Sequence, residues 1–133
     1  MSFNSPQSTL RQIVLADGVI CTVSGLLLAL GASALASPLG LPEALVRMAG
    51  MILLPYGLCI IFIARREQLP RMAVWAVVLL NMLWVMESFV LLFGGSVAPT
   101  TLGFSFVLVQ ALVGGLFAVL EFVWLRRSAV RVA

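Results

Sequence analysis

Four apolar runs, each long enough to cross a lipid bilayer, dominate this chain of 133 residues. A hydrocarbon core about 30 Å thick is crossed by roughly 20 helical residues. The runs extend from Leu10 to Ala36, from Ala44 to Ala64, from Met72 to Phe93 and from Leu102 to Leu125. Backbone groups in lipid find no water, so each run is expected to close its hydrogen bonds as a helix; barrel strands would be about ten residues long with alternating polarity. Composition agrees with this reading, at 62% hydrophobic and 10% charged, where soluble domains carry about 25% charged residues. The expected fold is all-α: a single transmembrane domain over residues 1–133, an integral-membrane four-helix bundle running up-down-up-down.

The punctuation between runs is sharp. Ser37-Pro38-Leu39-Gly40-Leu41-Pro42, Arg65 to Arg71 and Gly94 to Thr100 separate the spans, with Pro42, Pro70 and Pro99 at or before the helix starts, where a missing N–H matters little. Arginine placement sets the direction. The second loop holds Arg65, Arg66 and Arg71, the tail holds Arg126, Arg127 and Arg131, and Arg11 precedes the first span, whereas the first and third loops have no basic residue. The positive-inside rule then predicts both termini in the cytoplasm. Arg11, an apolar run and Ala34-Leu35-Ala36-Ser37 imitate a signal peptide. The run is too long for that and contains Asp17, so the first span is expected to be retained. The two hairpins share small-residue outer turns and Arg-Arg inner ends, a pattern that duplication or the positive-inside rule alone would both produce.

Lipid does not drive helices together, so contact faces are marked by small and polar residues. Span one carries Asp17, Cys21, Gly25, Ala29 and Ser33 four residues apart, on one helix face. Span four carries Gln110, Gly114, Ala118 and Glu121. These rows predict close packing of spans one and four, or a ligand groove along the same faces. Span two shows Arg47, Gly50, Leu54 and Gly57 on one side and a mid-span Pro55 that predicts a kink. Span three places Asn81, Trp84 and Ser88 together, and the asparagine is expected to bond to a neighbouring helix.

Ionisable groups inside spans are the first functional candidates. Counting about 1.5 Å of rise per residue puts Arg47 and Glu87 at one depth, which predicts an ion pair between spans two and three, and puts Asp17 and Glu121 together at the opposite depth. Water or an arginine could satisfy those two acids. Alternatively they form a coupled site with Gln110 and Asn81 that binds a proton or a cation. The chain has no histidine, which removes Ser-His and Cys-His catalysis and bis-His metal ligation. Cys21 and Cys59 read as small buried hydrophobes. No catalytic residue, cofactor or metal site is expected, nor a nucleic-acid partner; the expected partners are the bilayer, other membrane subunits and further copies of the chain.

Leu54-Pro55-Tyr56-Gly57, Asn81-Met82-Leu83-Trp84-Val85, and Glu121 followed by Leu125-Arg126-Arg127 resemble segments of small uncharacterised four-span inner-membrane proteins of bacteria. Size and span count also resemble DoxX-like proteins and small multidrug-resistance transporters. The resemblance implies the architecture and a bacterial inner-membrane location, and it transfers no activity. The leading functional expectation is a non-enzymatic accessory or interaction protein, a homo-oligomer or a small subunit of a larger membrane complex. The alternative is a proton- or cation-coupled transporter or lipophilic-ligand-binding bundle using Asp17 and Glu121. A third reading is a subunit of a quinone-linked redox enzyme whose cofactor lies elsewhere.

Overall fold

The computed structural model describes residues 6–132, with side chains from 7 to 128, so the Arg131 side chain lies outside the described part. Four helices account for nearly all of it: α1 (Pro6–Leu39), α2 (Glu43–Ala64), α3 (Arg71–Phe93) and α4 (Thr101–Val132). Each is long and apolar enough to cross a membrane, the architecture of a multi-pass membrane protein.

Two helices run past the expected limits. Helix α1 is described from Pro6, ahead of the expected Leu10. Helix α4 continues through Arg126 and Arg127 because Arg and Ala favour helix and no Gly or Pro stops the chain there. The breaks are made by local chemistry. At the end of α1, Leu41 N donates to Ala36 O and Gly40 N donates to Ser37 O, both at 3.1 Å. This pair of bonds, with Gly40 at φ +66°, is the glycine-terminated Schellman arrangement. Pro42 and Pro70 stand at the N-caps of α2 and α3. Thr100 caps α4, its Oγ1 accepting from Gly103 N at 3.1 Å. Pro55 sits within a continuous α2.

Helix α1 lies along α2 and touches α4, and α4 also lies along α3. The backbones of α2 and α3 hardly meet, and Tyr56 crosses the space between them. The closest approach is between α1 and α2. A methyl added at Gly25 would fall 2.5 Å from Leu54 N, and one at Gly50 would collide with Ala29 N. Gly57 likewise abuts Thr22, and Gly18 abuts Ile60 and Ile61. This corrects the packing read from the sequence. The small residues Gly25 and Ala29 pack against α2 rather than α4, and Ser33 is exposed. The physical reason is complementarity: Gly50 and Gly57 let the α2 backbone approach, whereas Gly114 faces Val85 and Trp84 of α3 at ordinary contact distance. Ala118 is buried.

Two apolar clusters fill the interior, and each draws on all four helices. One contains Leu10, Val14, Ile60, Ala64, Val74, Val77 and Leu125 at the arginine-bearing end. The other contains Leu28, Ala32, Leu39, Val46, Leu53, Leu92 and Val107 towards the opposite end. Tyr56 packs against both. Asp17, Asn81 and Glu121 fall between them along their helices.

The tight α1–α2 seam makes a sharp expectation. Gly50→Ala should lower stability in detergent by about 1–3 kcal/mol, the usual range for overpacking a close contact. Gly114→Ala, whose added carbon meets only ordinary contacts, should be neutral or mildly stabilising, since alanine favours helix by about 1 kcal/mol over glycine. Thermal or denaturant unfolding of the two variants beside the parent checks both.

Candidate functional site

One polar side chain or more from each helix meets in the layer between the apolar clusters. Asp17 (α1), Asn81 (α3) and Glu121 (α4) are 3%, 5% and 0% exposed, and Tyr56 (α2) is half-buried. Tyr56 Oη donates to Asn81 Oδ1 at 2.9 Å and also lies 3.3 Å from Val77 O. Asn81 Nδ2 donates to Asp17 Oδ2 at 2.8 Å and, more weakly, to Glu121 Oε2 at 3.5 Å. Cys21 Sγ donates to Asp17 Oδ1 at 3.5 Å, one helical turn along α1. The carboxyl groups of Asp17 and Glu121 face one another across the α1–α4 seam.

The electrostatics of this layer are unusual for two acids. Among the described residues no arginine bonds either one. Glu121 Oε1 is fully buried and has no hydrogen-bond partner, although buried polar atoms are normally paired. The arginines that could have reached inward are held at the end of the bundle. Arg11 Nη1 donates to Ala64 O at 2.6 Å and to Arg66 O, and Nη2 donates to Glu67 O at 2.9 Å. It thereby closes the carbonyl end of α2, where a cation also complements the helix dipole. Arg71 Nη1 donates to Leu125 O at 3.1 Å. Arg66, Arg126 and Arg127 lie over the rings of Phe62, Phe122 and Trp124.

Of the four residues singled out from the sequence, Asp17, Asn81 and Glu121 come together, and Gln110 does not. Gln110 belongs to a second, half-buried network further along α4. Its Oε1 accepts from Trp84 Nε1 at 2.6 Å and its Nε2 donates to Ser88 Oγ at 3.0 Å, while Ser88 Oγ donates to Trp84 O at 2.8 Å. About three turns separate Gln110 from Glu121 along the helix, so the shared face did not bring them to one site. Tyr56 is the residue that sequence reasoning passed over. Its signal was present, as the chain's one tyrosine, mid-span and beside Pro55.

The ion pair expected between Arg47 and Glu87 does not form. Arg47 Nη2 bonds Glu43 Oε1 at 2.7 Å on its own helix, both side chains being 47% exposed, and Glu87 is exposed. The reason is geometric: the two helices that would carry the pair hardly approach, while Glu43 stands one turn from Arg47. Among the described residues no three potential metal ligands of the His, Cys, Asp or Glu types gather at one point. Comparison with protein families, with curated proteins and with solved structures finds nothing that matches this chain.

A donor facing two carboxyl groups leaves a clear mutational signature. Asn81→Leu should cost about 1–3 kcal/mol of stability, because buried acceptors lose their donor. Glu87→Ala should be silent, and Arg47→Ala should lose no more than about 0.5 kcal/mol, as for an exposed pair one helical turn apart. Loss of stability for Glu87→Ala that is rescued by Arg47→Ala would restore the cross-helix pair.

Proposed function

We propose that this chain is a proton-binding protein of the bacterial inner membrane, in which Asp17 and Glu121 hold one exchangeable proton between them. The single observation that carries this reading is the unpartnered, fully buried Glu121 Oε1 beside a second buried carboxyl group, with no cation among the described residues bonded to either. Two carboxylates facing each other in a region of low dielectric repel strongly, and a shared proton removes that repulsion and supplies the missing donor. Asn81 favours a proton over a metal ion, since it turns its amide hydrogens, not its oxygen, towards both acids. Such a centre suits a small proton-coupled transporter or a bundle that binds a lipophilic cation in exchange for the proton.

The topology that goes with this reading is up-down-up-down, with both termini cytoplasmic. It is supported by inverse pairing along neighbouring helices: Gly18 with Ile61 and Gly25 with Leu54, Trp75 with Phe122 and Phe93 with Phe104, Tyr56 with Asn81. The arginines contributed by α1, the α2–α3 loop and α4 then share one face, the side that the positive-inside rule assigns to the cytoplasm. Cysteines placed at Ser37 and Ser96 should label from outside, whereas external labelling at Arg65 to Arg71 would invert the topology.

A second reading, a non-enzymatic accessory subunit or self-associating interaction protein, is favoured by how little of the chain lies outside the four helices. On that reading the polar layer fixes helix register alone. Proton uptake separates the two. After a pH step on the reconstituted protein, the parent should take up about one proton per chain by the shared-proton arrangement. Asp17→Asn and Glu121→Gln should each abolish that uptake while remaining folded. Equal uptake in parent and both variants would leave the accessory reading standing and end the proton-binding one.

A further inference from the structure

We propose that the rim of the α3–α4 seam binds an anionic phospholipid, its phosphate held between Arg71 and Arg126 and its acyl chains starting against Trp75 and Phe122. The contacts across this seam fix which residues stand opposite one another. The rings of Trp75 and Phe122 meet edge to face, with centroids 5.5 Å apart. Arg71 precedes Trp75 by four residues and Arg126 follows Phe122 by four, so each arginine shares a helix face with its ring, one turn away. Arg71 Nη1 reaches across to donate to Leu125 O at 3.1 Å, the residue before Arg126. The Arg126 guanidinium lies over the Phe122 ring, 5.7 Å from its centroid. Two cations and two aromatic rings thus form one group, with the cations towards the end of the bundle.

Among the described residues neither arginine pairs with an acid; Arg47 and Glu43, which do pair, lie at the other end of the bundle. Two guanidinium groups at one level repel one another, the more so beside a medium of low dielectric. An anion between them turns that repulsion into two attractions. Both side chains are exposed, and both keep donors in hand. Arg71 places one nitrogen on Leu125 O, and Arg126 donates to no group among the described residues. A guanidinium has five N–H donors, and its edge matches a pair of phosphate oxygens. With two cations and no acid, the site prefers a headgroup of net negative charge to one whose phosphate is balanced by its own ammonium group.

What lies deeper along the seam selects a lipid over a free phosphate. Tryptophan favours the headgroup level of a bilayer, and Trp75 stands half-buried one turn inside the two arginines. Beyond it the seam continues as an apolar track open to lipid. Leu79, the next turn of α3, is 64% exposed, and Val119, the next turn of α4, is 57% exposed. A phospholipid matches this order of groups from the rim inwards, phosphate first and acyl chain after it. Arg65 supplies the comparison. It carries the same charge at the end of α2 but, among the described residues, lies over no aromatic ring.

The test uses the full chain in an uncharged detergent, with bound lipid counted by native mass spectrometry. Phosphatidylglycerol, phosphatidylcholine and inorganic phosphate are titrated separately, and inorganic phosphate also in competition with phosphatidylglycerol. The expected result is retention of phosphatidylglycerol at a single site, loss of phosphatidylcholine, and no displacement by inorganic phosphate. Arg71→Gln and Arg126→Gln should each weaken phosphatidylglycerol binding about tenfold, the usual effect of losing a hydrogen bond to a charged group. Arg65→Gln removes the same charge and should change binding little. Equal weakening by all three variants would reduce the effect to diffuse attraction and overturn the site, as would equal retention of the two lipids. Displacement by inorganic phosphate would overturn the lipid as occupant in favour of a free ion. If Arg71→Gln fails to fold for want of its main-chain bond, Arg126→Gln, which breaks no such bond, decides the matter.

Discussion

In hydrocarbon an apolar side chain gains nothing by leaving lipid for another apolar side chain, so this bundle must be held by close backbone contact and by buried polar bonds. Both devices are present, and they divide the work. The glycines of α1 and α2 bring two backbones to van der Waals contact along much of their length. The remaining interfaces rely on larger side chains and on two polar networks, one around Asp17 and Asn81 and one around Gln110. In the membrane such bonds contribute about 0.6 kcal/mol each on average. Their larger effect is to define which rotation of each helix is tolerated, since any other would bury an acid or amide without its partner.

The same reasoning explains why five arginines stay at one end. They have partners there: main-chain carbonyls for Arg11 and Arg71, aromatic faces for Arg66, Arg126 and Arg127. A guanidinium group that satisfies a helix end is not available to neutralise an acid one or two turns deeper. The charge left on the interior is therefore set by the acids themselves and by the neutral donors around them.

What could be read from the sequence follows from the range of each interaction. Span number and limits depend on runs of apolar residues and on local stops, so Ala44 to Ala64 and Met72 to Phe93 agree with α2 and α3 within a residue. The grouping of Asp17 with Glu121 followed from equal depth, a property of one helix at a time. Partner choice depends on the rotation of two helices at once, which periodicity does not contain. Hence Gly25 and Ala29 were matched to α4 when Gly50 and Gly57 of α2 fit them more closely, and Arg47 was matched to Glu87 when Glu43 lay one turn away. Tyr56 escaped because a phenol beside a proline reads as part of a kink until Asn81 is seen across from it.

The junction at the far end from the arginines has a mechanical consequence. Thr100 N donates to Leu39 O at 3.1 Å, and Thr100 Oγ1 donates to Pro38 O at 2.7 Å. Gly103 stands so close to Leu39 O that an added methyl would strike it. Helix α4 is thus riveted by its first turn to the last turn of α1, while α2 leaves that same turn through two residues, Leu41 and Pro42, after Gly40. Three of the four helices share one fulcrum. Among the described residues α3 makes no hydrogen bond to this junction and is tied to the bundle instead by its packing along α4 and by the bonds of Asn81 and Trp84, so its position is set from mid-helix and not from its end.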